Sequence, residues 1–514
     1  MKNFTVSSTL LLASGLVMSL SASAAPKKPN VILIMVDDMG WKDVGFNGGE
    51  VIKTPHLDQM AKDGVILDRF YSASAVSSPT RASVLTGRNP TRTGIFTANY
   101  GILRTEEITI PELLKTQGYV SAHFGKWHLG TMTTTVKDGN RGGKAANINE
   151  YNPPKLHGYD VAFATESKVP TWDPMLKPEN NKIGTAMDAD KSLRQSYGTA
   201  YWDIDGNKVE GNMLGDDSRV IMDRVLPFIE QSKKDKNPFL AVVWFHTPHA
   251  PCVAGPEYAA MYADKPVKFQ NYAGCITAMD EQVGRLRAYL KEQKLDENTM
   301  IWFCSDNGPE PSSPGDTGEF FEGKRSVHEG GVRVPACMVW PSKVKPGGKI
   351  MAPLWTCDYL PTVAAAAGVD PKLMKYELDG KDVMPIVLGK EKKRNAPFVI
   401  AYGLGTSYQH DDYKVYTFAE YAAYYNIITD RGEKNPDKSN AIISDVQQDI
   451  DKIISSYKNS FEGGEYGTVS YDKLGDKWAG FRSVKIPANF YPEGVAKPAA
   501  KKKGGNANKN KNAK

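Results

Sequence analysis

Unbroken apolar runs alternate with amphipathic stretches through most of this chain. The run Asn30-Val31-Ile32-Leu33-Ile34-Met35-Val36 is rich in β-branched residues and stops abruptly at Asp37-Asp38. Such a run predicts a strand covered on both faces, the kind found in parallel sheets. The pattern recurs at 119–124, before Gly125-Lys126-Trp127-His128. It appears again at 238–245, before His246-Thr247-Pro248-His249, and at 300–304, before Ser305-Asp306-Asn307-Gly308. Helices fall between these runs. Thr54-Pro55 opens one that closes at Gly64, and Thr109-Ile110-Pro111 opens one that ends at Gly118. Residues 218–232 carry a single apolar face, and Tyr272, Ile276, Met279, Val283, Leu286 and Leu290 mark a longer helix. Strands alternating with helices predict an α/β fold with a large, mostly parallel sheet sandwiched by helices. Residues 131–215 are rich in Gly, Asn, Asp, Pro and Trp and show no period, which predicts a long functional loop. Past Gly389 the pattern changes to short strands at 398–401 and 414–417 and a helix at 444–457. The chain thus divides into a main domain over 26–389 and a smaller C-terminal α+β subdomain over 390–495.

Composition changes this picture mainly at the two ends. Lys2, an apolar run over 9–20 and Ala22-Ser23-Ala24-Ala25 form the pattern of a secretory signal peptide over 1–25, too short for a membrane span. The protein is therefore expected in the periplasm, with secretion as the alternative, and without membrane insertion. The formal charge is +5, but 497–514 holds seven lysines and no acidic residue. The rest of the chain is close to neutral, so charge gives no support for nucleic-acid binding. Residues 496–514 read as a disordered Lys/Asn-rich tail. The five cysteines show neither CxxC nor zinc-ligand spacing.

The candidate chemistry gathers around Ser77-Ser78-Pro79-Thr80-Arg81-Ala82-Ser83-Val84-Leu85-Thr86-Gly87-Arg88. Ser78 suits a helix N-cap, Pro79 the first helical position and Gly87 the left-handed residue that ends the helix. Ser77 then sits just ahead of a helix N-terminus, where backbone N–H groups and the helix dipole favour an anion. In open α/β sheets ligands bind at the carboxyl ends of the strands. Asp37, Asp38, Lys126, His128, His249, Asp306 and Asn307 should therefore converge. Asp37, Asp38, Asp306 and Asn307 offer oxygen ligands only, which suits Ca²⁺ or Mg²⁺ rather than zinc or copper. The segment 323–335 adds Lys324, Arg325 and the Gly330-Gly331 pair, which permits close backbone approach. A metal, several cations and a helix N-terminus around one small oxyanion imply phosphate or sulfate.

The ordered motifs Asp37-Asp38, Ser77-x-Pro79-Thr80-Arg81 through Leu85-Thr86-Gly87-Arg88, Gly125-Lys126-Trp127-His128-Leu129-Gly130, Pro248-His249-Ala250-Pro251, Ser305-Asp306-Asn307-Gly308 and Lys324 to Gly331 closely resemble the formylglycine-dependent sulfatases. These belong to the alkaline-phosphatase-like superfamily, and the resemblance runs from Asn30 to about Gly389. It implies that Ser77 is oxidised to formylglycine, as in the serine-type bacterial branch, by an anaerobic sulfatase-maturing radical enzyme. It implies that the hydrated aldehyde attacks sulfur and that Asp37, Asp38, Asp306 and Asn307 bind Ca²⁺ (Mg²⁺ being the alternative), with the modified Ser77 contributing. It further implies that Arg81 and His128 orient the nucleophile, Lys126 and Lys324 bind sulfate oxygens, and His249 protonates the leaving alkoxide. The expected substrate is a sulfated saccharide, with Trp172, Tyr201 and Trp202 as stacking surfaces for sugar rings. The alternatives are an arylsulfatase or choline-sulfatase-like enzyme, or a phosphoryl-transfer hydrolase of the same superfamily using unmodified Ser77 and two zinc ions.

Overall fold

The computed structural model describes residue 1 and residues 28–99, 101–136, 138, 150–178, 195–419, 421–461 and 464–466. The expected signal peptide, beyond residue 1, and the expected tail lie outside the described residues.

Among the described residues, sixteen strands form three sheets. In chain order the first eight are β1 (Asn30–Val36), β2 (Val65–Leu67), β3 (Phe70–Tyr71), β4 (Val120–Lys126), β5 (Val161–Thr165), β6 (Tyr201–Asp203), β7 (Lys208–Val209) and β8 (Phe239–Trp244). The others are β9 (Thr299–Ser305), β10 (Ala336–Val339), β11 (Gly348–Ile350), β12 (Leu354–Trp355), β13 (Phe398–Tyr402), β14 (Gly405–Gln409), β15 (Lys414–Phe418) and β16 (Tyr421–Tyr425). The main sheet has ten strands in the order β11-β2-β10-β9-β1-β8-β4-β5-β6-β7. Its centre, β9-β1-β8-β4-β5, is parallel throughout, and antiparallel strands close both flanks. Strands β3 and β12 pair separately, and β13–β16 form an antiparallel meander.

Strand β1 shows why the central runs lack polar alternation. Val31, Leu33 and Met35 enter one core, while Ile32, Ile34 and Val36 enter the other. Successive side chains of a strand point to opposite faces, so a sheet with helices on both sides needs apolar residues at every position. Helices Ser77–Thr86, Ile110–Lys115 and Tyr359–Ala367 pack on the first face, and Pro55–Asp63, Asp217–Lys234 and Val267–Glu292 on the second. No helix among the described residues is long and apolar enough to cross a membrane.

Two local expectations are corrected. The 131–215 segment is not loop alone: Val161-Ala162-Phe163-Ala164-Thr165 is a central parallel strand beside β4, with β6 and β7 beyond it. Its five residues are too few to stand out in a Gly- and Asn-rich background. In the Ser77–Thr86 helix the N-cap is Val76, so Ser77 is the first helical residue and Pro79 the third. The Ser78 hydroxyl accepts from the Asn99 backbone N–H at 3.3 Å instead of capping. Gly87 does end the helix in the left-handed region, at φ 68°.

Candidate active site

Sheet register brings the distant motifs together. Val36 pairs with Ser305 across β1 and β9, and Met35 with Trp244 across β1 and β8. The ladder runs on past the strand ends: Asp306 N–H donates to Val36 O at 3.0 Å and Asp37 N–H to Thr247 O at 2.9 Å. Asp37, Asp306 and the 246–251 turn are therefore neighbours, and Lys126, the last residue of β4, lies one strand away. Asp38 takes φ 67°, a turn conformation that aspartate tolerates better than most residues.

The resulting cluster is buried and densely paired. Lys126 Nζ lies 2.6 Å from Asp37 Oδ2, and Lys324 Nζ lies 2.6 and 2.7 Å from the two oxygens of Asp38. Arg81 donates to Asp306 Oδ2 at 2.7 Å and lies 3.6 Å from Asp37. Asn307 Nδ2 donates to Asp38 Oδ1 at 2.7 Å. Ser77 Oγ is 3.1 Å from Asp37 Oδ1 and 3.4 Å from Asn307 Oδ1, so its hydroxyl faces the oxygen cluster. His249 Nε2 is 3.7 Å from Asp38 Oδ2, and its Nδ1–H donates to the Ala250 carbonyl at 2.6 Å. His128, at φ 61°, directs Nε2 to Asn99 Oδ1 at 2.6 Å. A relay Ser78–Asn99–His128 thus ties the helix start to the β4 turn.

Electrostatics follow from this crowding. Burial works against ionisation of Asp37, but Lys126, His249, Arg81 and Lys324 together hold its carboxyl well below the usual range. Burial and the adjacent Asp37 push Asp306 up to about 7 against Arg81. Burial lowers the Lys126 ammonium despite Asp37. Burial disfavours the Lys324 charge too, yet Asp38 and Asp37 outweigh it and raise that group. Burial takes His249 down to about 4 against the pull of Asp37 and Asp38.

Three carboxylates and an amide oxygen so close together fit a hard divalent cation, whose charge would offset the burial and the Asp37 repulsion that push Asp306 up. Ligand atoms of Asp37, Asp38 and His249 lie within 4.8 Å of one another. Above the cluster opens a cavity of about 790 Å³ whose wall includes Ser77, Asn99, Lys126, His128, His249 and Lys324. Every catalytic or metal-binding residue singled out from sequence lies in this cluster or on this wall.

The aromatic residues do not. Tyr201 is buried, stacks on Phe163 with centroids 4.0 Å apart and donates its hydroxyl to Asp217 at 2.6 Å. Trp202 is buried and donates Nε1–H to Asp138 at 2.7 Å. Trp172 is half-buried against Gly255, where an added Cβ would fall 2.3 Å from its ring. Their apolar area serves packing, so the expected sugar-stacking role is withdrawn. Arg88 also points elsewhere, to the Glu377 carbonyl and to Glu107. Sequence reasoning passed over Asn99, Ser167 and Lys168 on the cavity wall. The last two follow β5, and the signal for them was the usual one of an apolar run ending in polar residues.

The Sulfatase family model matches residues 29–369, which span every motif of the cluster. The chain belongs to the sulfatase family. This sulfatase is 30% identical to the N-acetylgalactosamine-6-sulfatase of Canis lupus familiaris over 427 residues, covering 79% of this chain and 73% of that protein. It is 30% identical to the steryl-sulfatase of Mus musculus over 442 residues, covering 74% and 68% of the two chains. Among solved structures, Ps i-CgsB in complex with k-i-k-neocarrahexaose superposes with a TM-score of 0.69 at 26% identity, covering 89% of this chain and 98% of that one. The PsFucS1 sulfatase from Pseudoalteromonas sp. shares the fold, with a TM-score of 0.66 at 23% identity over 84% of this chain and 91% of that one. The sulfatase is accordingly a sulfuric ester hydrolase.

Proposed function

We propose that the enzyme removes sulfate from a sulfated carbohydrate, using residue 77 after its conversion to formylglycine. The observation that carries the site assignment is Ser77 Oγ lying against Asp37 and Asn307 at the mouth of a cluster holding three organic cations. The carbohydrate reading is supported by the cavity, which is wide and walled largely by hydroxyl, amide and ammonium groups, and by relatives and neighbours whose names specify sugar substrates.

Asp37, Asp38, Asp306 and Asn307, with residue 77, would hold Ca²⁺, which supplies Lewis acidity and the positive charge that a sulfate ester offsets. Formylglycine at position 77 would supply a geminal diol, one hydroxyl of which attacks sulfur. Arg81, fixed by Asp306 and Asp37, holds its guanidinium rigid at the base of the site. Lys126 and Lys324, anchored on Asp37 and Asp38, bind non-bridging sulfate oxygens and offset charge that builds up in the transition state. His249 spends Nδ1–H on the Ala250 carbonyl, which turns Nε2 toward the reacting ester. A second proton at Nε2, favoured by the negative charge of the bound ester, would pass to the leaving oxygen, as a sugar alkoxide requires. Conversion of Ser77 by a radical maturase, and export directed by residues 1–25 to the periplasm or beyond, belong to the same proposal.

The test is sulfate release by the matured enzyme from monosaccharides sulfated at defined positions, with choline sulfate and an aryl sulfate alongside. Turnover of at least one sulfated sugar above the other two is expected. Silence across the sugars with robust turnover of choline sulfate would overturn the carbohydrate reading.

A further inference from the structure

The floor of the cavity is balanced in charge: Arg81 with Asp306 at 2.7 Å, Lys126 with Asp37 at 2.6 Å, Lys324 with Asp38 at 2.6 Å. The wall is not. It adds three cations, Lys168, Lys268 and Arg325, against one carboxylate, Glu310. Arg325 is spent on Glu310 through two parallel bonds of 2.8 and 2.7 Å, and Lys268 donates to the Ser312 carbonyl. Lys168 has no hydrogen-bond or ion-pair partner among the described residues, yet it is half-buried within electrostatic reach of Lys324, Asp37 and Asp38.

Its position is built, not incidental. The carbonyl of Ser167, one residue before it, accepts from Thr165 Oγ1 at 2.7 Å and lies 3.1 Å from His246 Nε2. His246 Nδ1 is held by Asp217 at 2.8 Å, and Asp217 also takes the Tyr201 hydroxyl at 2.6 Å. This buried chain fixes the backbone that presents Lys168 to the cavity. A partly desolvated ammonium without an acceptor is unfavourable unless water or an incoming anion satisfies it. In the reading above, the oxygens of the scissile sulfate are served by Lys126 and Lys324.

We propose that Lys168 binds a second anionic group of the substrate, so that the enzyme prefers saccharides carrying another sulfate or a carboxylate beside the ester it cleaves. The proposal rests on the carbohydrate-sulfatase reading above and narrows it to polyanionic glycans.

The test compares kcat/KM within matched pairs. One pair is a singly and a doubly sulfated monosaccharide, another is a sulfated disaccharide with and without a uronate, and a non-sugar pair is phenyl sulfate and catechol bis-sulfate. Lys168→Ala should lower kcat/KM on the doubly charged member about tenfold more than on the singly charged one. Lys168→Arg should keep the preference within about threefold, and the wild-type preference should shrink as salt is raised. Whether the disulfate or the uronate pair responds identifies the second anion. Equal losses within every pair, or no loss in any, would overturn the proposal. If only the non-sugar pair turns over, the carbohydrate reading fails, while the ratio within that pair still reads Lys168 directly.

Discussion

Ser77 owes its place against Asp37 and Asn307 to where its helix begins. All ten residues of Ser77–Thr86 are buried, so the helix start cannot shift without moving the core. The residues that carry chemistry were legible because each terminates an apolar run or stands in a dense motif. Cap identity was less legible: Ser78 has the right side chain for a cap, but the Asn99 N–H claims its hydroxyl. Tyr201 and Trp202 show the converse limit, since an aromatic residue in an irregular segment looks the same in sequence whether it faces a sugar or a core. His249 offers a test at this scale. His249→Gln should cut kcat on a sugar sulfate about a hundredfold or more, the ordinary contribution of a general acid. On a nitrophenyl sulfate, whose leaving group needs no proton, the loss should stay under about tenfold. Steady-state kinetics on the two substrates reads the difference directly.

At the level of elements, the parallel strands were read correctly because burial on both faces erases polar alternation. Short elements were lost: β5 has five residues, β2 three, and β14 follows a tight turn within the C-terminal meander. What holds the elements in place is often backbone against backbone. A Cβ at Gly308 would fall 1.9 Å from the Gly330 carbonyl oxygen, so the loop carrying Asn307 is pressed onto the Gly330-Gly331 pair. Gly308→Ala should cost about 1–3 kcal/mol, the usual range for overpacking. It should also lower kcat, because relief of the clash displaces Asn307. Thermal unfolding and turnover of the same matured sample check both effects.

At the scale of the molecule, the C-terminal meander is keyed to the catalytic sheet by buried charge. Lys414 on β15 reaches Glu433 at 2.7 Å and Glu329 at 3.2 Å, and Glu433 also takes His328 at 3.0 Å. No local pattern announces pairs separated by tens of residues, and this network was invisible in the sequence. Lys414→Ala removes the cation that two buried carboxylates share and, with His328 left on Glu433 and Arg333 on Glu329, should destabilise the protein by about 1–3 kcal/mol in urea unfolding. Acid should weaken the fold through His123 and His157, both pushed by burial to about 3. Their folded pKa values lie below the ordinary histidine value near 6.5, so the unfolded chain binds protons first. The contribution of these two histidines to stability should therefore be level above pH about 6.5 and fall progressively toward pH 3. A urea midpoint that changes across that window just as much in a His157→Gln variant as in the wild type would contradict this for His157. The proposed chemistry turns on residue 77. After co-production with a sulfatase maturase, the peptide containing residue 77 should be lighter by two hydrogens, and the enzyme should release sulfate from a sulfated sugar while Ser77→Ala releases none. Full hydrolysis by Ser77→Ala, or by a protein whose Ser77 is unconverted, would contradict it.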